Sequence, residues 1–491
     1  MLLKVERIII MKKIFAILMT ICLLASALCI TAFAADAPAA DAPADGTVLR
    51  ISGENKRGDK LIIDEYDTFK DGWNAAMKVA TGAKTSGYAR VIVDLYADWT
   101  AVDGEFSDDL RGGTGFAWDT ILFPGDVRVV LNMNGHTINR AMSTWEYNGE
   151  VMCIDPGAMV TINNGTIKGG WSANGAGGIH IKDDAYVTLN NVDIVGNIAD
   201  DDDGGGIAVN DGATLIMNGG SFQNNAVDGA AVFTADPESA AQGAALYVED
   251  AKATLNNVVF KNNQSCSSHN PGAGIASHRS DIVINGCTFD GNGISDEDNN
   301  IYAASSIIWV DDCNVVVKDS VFTNNGAFSE TPGFGNMEYT YLFYMFDKCN
   351  VNIERSTIDN NATAILFLGS GMSDYVKLCV TDTTMTNNKS WLAAVHPAKT
   401  FASGSCFKNC TISGNEALST PGVNNMNEYF LRANEEPAGD EHVGTMMGTG
   451  SVTMIVALTA LVFAVVALGL TIVFIKKKAV PATVAETEDE E

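Results

Sequence analysis

The sequence predicts an all-β fold, a parallel β-helix in which each repeat closes one coil of a solenoid. Two observations carry this. A phrase such as TLNNVVFKNN at Thr254 to Asn263, IVINGCTFDGN and VVVKDSVFTNN, ending in asparagine in eight of its ten copies, recurs at intervals of 27 to 29 residues, stretching to 33–38 in the middle. Each interval also holds a second strand-like run (GGIHI, GGIAV, AALYV, SIIWV) and no stretch long enough for a helix. Strands at a fixed period in this range indicate a solenoid.

Taken in chain order, Met11 to Ala34 has a basic start, an apolar stretch and an A-x-A-like site at Ala32-Phe33-Ala34. Residues 1–34 therefore read as a secretory signal, with Met11 an alternative start. Residues 35–46 are a Pro/Ala linker, and 47–130 a cap region. Solenoids need caps because an open end exposes core and strand edges. Phe69, Trp73, Ala76, Met77 and Ala80 recur at helical spacing, which predicts an amphipathic capping helix over Thr68 to Ala80. The coils occupy 131–415, and 416–450 reads as a C-terminal cap and flexible stalk. Residues 451–475 are apolar and uncharged, long enough for one transmembrane helix. Lys476, Lys477 and Lys478 follow, so 476–491 is expected to be a cytoplasmic tail. The expected protein is a single-pass bacterial membrane protein with its β-helix outside the cell.

Within the coils two apolar columns line up. The first holds Met133, Ile162, Leu189, Met217, Leu255, Ile284, Val317, Ile353, Val380 and Phe407. Five residues later come Ile138, Ile167, Ile194, Phe222, Phe260, Phe289, Phe322, Ile358, Met385 and Ile412. Period-two alternation around them marks strands with one buried face. Three residues beyond the second column stand Asn197, Asn225, Asn263, Asn292, Asn325, Asn361, Asn388 and Asn415. Equivalent positions in stacked coils lie about 4.8 Å apart, so their amides are expected to form a ladder. Asparagine also tolerates the left-handed backbone of a tight corner.

The motifs Gly204-Gly205-Gly206-Ile207, Gly243-Ala244-Ala245-Leu246 and Gly272-Ala273-Gly274-Ile275, with Phe222/Asn225, Phe260/Asn263, Phe289/Asn292 and Phe322/Asn325, resemble the GGxI and FxxN repeats of the polymorphic outer membrane proteins. These belong to the wider right-handed, pectin-lyase-like β-helix class. The resemblance covers roughly Leu131 to Asn415 and implies a right-handed parallel β-helix of about ten coils and an adhesin-type surface role. Members of that family end in an outer-membrane barrel, whereas this chain ends in one apolar segment, so the family's export route does not carry over.

The formal charge of −29 repels polyanions and argues against nucleic acid as a partner. No histidine pair has metal-ligand spacing, and no catalytic residue stands out. The pectin-lyase-like class also contains polysaccharide lyases and glycosidases, which makes a calcium-assisted enzyme the alternative function. Its candidate calcium ligands are the turn residues Asp183, Asp211, Asp250 and Asp312, with the run Asp200, Asp201, Asp202 and Asp203. Stacked carboxylates repel unless a cation stands between them, and calcium takes oxygens from flexible turns. Cys313 with Cys349, and Cys379 with Cys406, fall in phase on adjacent coils, either as disulfides or as free thiols.

The repeats lengthen at Ala226 to Gln242, Gln264 to Gly272, Gly293 to Ser305 and Gly326 to Thr340, always after the asparagine. In a solenoid these insertions cluster along one edge, the usual place for binding. They carry Phe233, Tyr302, Phe328, Phe334 and Tyr339, and outward Tyr247 and Trp309 are expected to flank the same groove. The function this predicts is binding of glycans or surface proteins. A passive structural envelope protein is the third reading.

Overall fold

The computed structural model describes residues 42–415 apart from 84–86, 103–115, 118–119, 201, 228–240, 266–271, 295–304, 327–339, 364, 370–375, 390–393 and 396–403. The described part of the chain is mostly β, a solenoid built chiefly of parallel strands. It has a 21-stranded long sheet, an 11-stranded second sheet and a 5-stranded short sheet. In five successive coils the chain runs from the long sheet around a corner to the short sheet, then to the second sheet and back.

Register along the long sheet is continuous. Val93 pairs with Leu131, then follow Ile162, Leu189, Met217, Leu255, Ile284, Val317, Ile353, Val380 and Phe407. This corrects the first column in its first coil, where Leu131, not Met133, opposes Ile162. The turn there is longer, with left-handed Asn134 (φ 54°) and Gly135 (φ 85°), and Met133 is buried inside the turn. The strand Arg90–Leu95 adds a rung ahead of the ten repeats. In the second column the rings of Phe222, Phe260, Phe289 and Phe322 stack at centroid distances of 4.9, 4.3 and 4.7 Å. A Cβ on Gly206 would lie 2.4 Å from the Ala245 carbonyl oxygen and 2.9 Å from Phe222, so the glycine-rich motif makes room for both the stacked backbone and the phenylalanine ring.

At the N-terminal end the strands turn antiparallel: Leu49–Glu54 pairs with both Arg90–Leu95 and Lys60–Tyr66. The helix Phe69–Thr81 packs here, burying Phe69, Trp73, Ala76, Met77 and Ala80. Thr68 lies outside it as N-cap, with its side chain accepting from the Asp71 amide. Trp73 meets Phe123 edge-on at 4.9 Å and donates to the Leu122 carbonyl.

Among the described residues no helix is long and apolar enough to cross a membrane. The signal segment, the stalk and the apolar run 451–475 lie outside the described residues.

Candidate functional site

The corner after the long sheet is built by pairs of residues. Asn197, Asn225, Asn263, Asn292, Asn325, Asn361, Asn388 and Asn415 form one chain of side-chain hydrogen bonds, each Nδ2 donating to the next Oδ1 at 2.8–3.1 Å. The second Nδ2 hydrogen goes to a carbonyl of the preceding coil, as from Asn263 to Phe222, and each Oδ1 also accepts the backbone N–H of the preceding asparagine. An interior rung such as Asn263 is fully buried with every polar valence of its side chain used. The left-handed backbone falls on the residue before it: Gly196, Asn224, Asn262, Gly291, Asn324, Asn360, Asn387 and Gly414. The corner therefore divides between two neighbours the work that the sequence reading gave to one.

Directly after Asn225, Asn263 and Asn292 the chain makes a short-sheet strand that periodicity did not reveal: Ala226–Val227, Gln264–Ser265 and Gly293–Ile294. The first three insertions begin only after these strands, later than the expected boundaries, and are followed by the second-sheet strands Leu246–Glu249, Gly272–His278 and Ser305–Asp311. Phe233, Tyr302, Phe328, Phe334 and Tyr339 lie outside the described residues, as does Asp201.

The second sheet receives that corner, and its outer face carries the densest group of titratable side chains. Cys153, His180, Ala208, Tyr247, Ala276, Trp309 and Tyr344 stand in register along it. Tyr247 and Trp309 are outward of the core, yet only 5% and 3% exposed, packed with Ala176, Ala208, Ala276 and Tyr344. Their rings are thus not presented to a ligand in this structure. The Tyr247 hydroxyl donates to Glu249 at 3.1 Å. Burial, then the neighbouring Asp202 carboxylate, pushes Asp203 up to about 7, although the Gln242 amide donates to it at 2.6 Å. One column further, Glu249, His278 and Asp311 are in register. His278 places Nδ1 3.4 Å from Asp311 and Nε2 3.0 Å from the Gln242 side chain, and its ring leans on Trp309 at 4.3 Å. Burial lowers the His278 pKa against the pull of Asp311, and the Gln242 side-chain oxygen at Nε2 accepts from an Nε2–H. Lower on the face, Glu150 is buried, accepts from Ser172, and is pushed by burial up to about 7.

Glu249, His278, Asp311 and Glu150 were missed as site residues. The first three were legible in LYVED, IASHR and IWVDD, had these been stacked in register rather than read singly.

The acidic turn column is interrupted. Continuing the register puts Asp183, Asp211 and Asp250 at one position, then Arg279, then Asp312. Arg279 pairs with Asp250 at 2.6 Å and Glu249 at 2.7 Å, and its hydrogen bonds hold Asp250 below the usual carboxylate range. Asp211 moves the other way, raised by burial and by its acidic neighbours. In the other acidic run, Asp202 accepts the Gly175 amide at 2.5 Å and Asp200 donates its backbone N–H to Ser172. Among the described residues no three His, Cys, Asp or Glu side chains gather to hold a metal.

The paired cysteines are in register, and the described cysteines are free thiols. Cys313 and Cys349 are buried and donate to carbonyls of Asp311 and Phe346. Cys406 and Cys379 are half-buried neighbours.

No protein-family model, no curated protein and no solved structure matches this chain.

Proposed function

We propose that this chain is an exported, membrane-anchored, right-handed β-helix of the pectin-lyase-like class that binds glycans or proteins at the bacterial cell surface. The observation that carries the reading is the placement of the insertions. The connections that lengthen all leave the ladder corner and end at the second sheet, the sheet that carries Tyr247, Glu249 and His278, while the ladders elsewhere repeat with little variation. Variation confined to one edge of a regular scaffold suits recognition.

A specific observation favours an enzyme as the second reading. Asp203, held by the Gln242 backbone N–H at 2.6 Å, has its carboxyl pushed to about 7, and a carboxylic acid that keeps its proton near neutrality suits general acid catalysis on a glycosidic bond. Calcium at the Asp183–Asp211 step belongs to this reading.

The test incubates the purified full-length protein with a polysaccharide panel, with and without calcium, recording retention and product mass. Retained, uncut chains support binding. Shortened chains transfer the function to the Asp203 face. Neither retention nor cleavage, against protein ligands as well, leaves only the passive structural role.

A further inference from the structure

The first coil reaches the same corner by a different route. Between the strands Thr137–Asn139 and Met152–Ile154 the chain makes the segment STWEYNGE, residues 143–150. Glu146 forms a parallel bridge with Ser172, adding one residue to the edge of the short sheet. The bridge is tied by four backbone hydrogen bonds: Glu146 N–H to Trp171 O, Ala173 N–H to Glu146 O, Trp171 N–H to Gly149 O, and Gly149 N–H to Glu146 O. Gly149 is required for this approach, because a Cβ there would lie 1.8 Å from the Trp171 carbonyl oxygen. Asn174 donates its amide to Asn148 at 3.1 Å across the turn.

On this pinned turn two aromatic residues face solvent. Trp145 is 52% exposed and Tyr147 66%, whereas Trp73, Trp99, Trp171 and Trp309 are each 9% exposed or less. Glu146 is fixed by its bridge to Ser172, and Tyr147 and Asn148 form the centre of the turn that the Gly149 N–H closes on the Glu146 carbonyl. Burying neither ring forgoes a large stabilisation that the adjacent core offers other aromatics, and the fixed backbone presents them without an ordering cost on binding. Around them stand Ser143, Thr144, Glu146 and Asn148, with no large exposed aliphatic side chain from 140 to 151.

We propose that Trp145 and Tyr147 form a stacking subsite for a neutral glycan chain, a reading that rests on the glycan-binding function above. Pyranose rings present apolar C–H faces edged by hydroxyls, which match aromatic faces edged by hydroxyl, amide and carboxylate groups. A protein partner needs a patch of about 800 Å² with a buried apolar centre, which two rings on a polar turn do not supply. The formal charge of −29 disfavours polyanionic glycans and anionic lipid surfaces.

The test uses the full-length protein in affinity electrophoresis through neutral polysaccharides (mannan, galactomannan, mixed-linkage glucan), with polygalacturonate as the charged comparison. Wild type is expected to be retarded by at least one neutral polymer. Trp145→Ala and Tyr147→Ala are each expected to weaken that affinity about tenfold, and Trp145→Phe to keep most of it. The same polymer is expected to shield tryptophan fluorescence from iodide, with the shielding lost in Trp145→Phe. Both rings are exposed, so unchanged thermal unfolding verifies that the variants fold. Retardation of wild type and both alanine variants alike overturns the subsite while the glycan-binding function stands. Retardation by polygalacturonate alone overturns the neutral class. No retardation by any polymer overturns the subsite and the glycan reading together.

Discussion

Asn262 and Asn263 are chain neighbours with opposite duties. Asn262 takes a left-handed backbone (φ 52°), and Asn263 is a fully buried rung whose amide joins the coils on both sides. Their substitutions are expected to separate accordingly. Asn262→Gly is expected to be tolerated, because glycine already fills that place at Gly196, Gly291 and Gly414. Asn262→Ala is expected to cost about 1–2 kcal/mol for left-handed backbone. Asn263→Ala strands the donors of Asn225 and the acceptors of Asn292 and Phe222, for a cost of roughly 3–5 kcal/mol. Urea unfolding of the three variants measures the order. Equal losses for Asn262→Gly and Asn263→Ala would contradict the division.

The phenylalanine stack gives a second test. Phe289 lies between Phe260 and Phe322 at 4.3 and 4.7 Å and is fully buried. Phe289→Ala is expected to lose about 3–5 kcal/mol through transfer and cavity terms, and Phe289→Leu much less. The corresponding change at Ile412, half-buried at the last described rung, is expected to lose less than at Phe289. A uniform penalty at both positions would mean that burial does not set the cost.

Arg279 stands in register between Asp250 and Asp312 and supplies the positive charge that the acidic turns need. Arg279→Gln is expected to destabilise by no more than about 1 kcal/mol, since the pair is half exposed. The more telling change is in ion response. Without the guanidinium, unfolding temperature is expected to rise with millimolar calcium more than in wild type. Identical calcium responses in a thermal melt would remove Arg279 as the counter-ion.

The repeat period made the stacking order and the ladder positions legible, because apolar alternation recurs at every coil and asparagine in eight of ten. Backbone sign did not show, so both corner duties fell to the second asparagine. Tyr247 and Trp309 were readable as outward from strand alternation. Their burial was not, since it comes from Ala176, His278 and Tyr344 on other coils. The short-sheet strands are two residues long and have no period to read. Arg279 breaks the run of aspartates at that turn, so residue type alone does not reveal its place and only the strand register does.

Asp203 makes the pH dependence of stability specific. An unfolded aspartate titrates near 4, whereas burial raises Asp203 to about 7. Between these values the folded state holds a proton that the unfolded chain has released, so stability falls as pH rises from about 4 to 7 and levels off above. The stabilisation is complete below the unfolded value and lost through the folded one. Asp203→Asn removes this titration and is expected to flatten part of the fall, on the order of 2–4 kcal/mol. Glu150, also raised to about 7 by burial, contributes a second part that Glu150→Gln removes. Urea midpoints at pH 4, 5.5, 7 and 8 for wild type, each variant and the pair measure both shares. A wild-type midpoint that climbs from pH 4 to 7 while both variants follow it would show that neither carboxyl is held protonated by the fold.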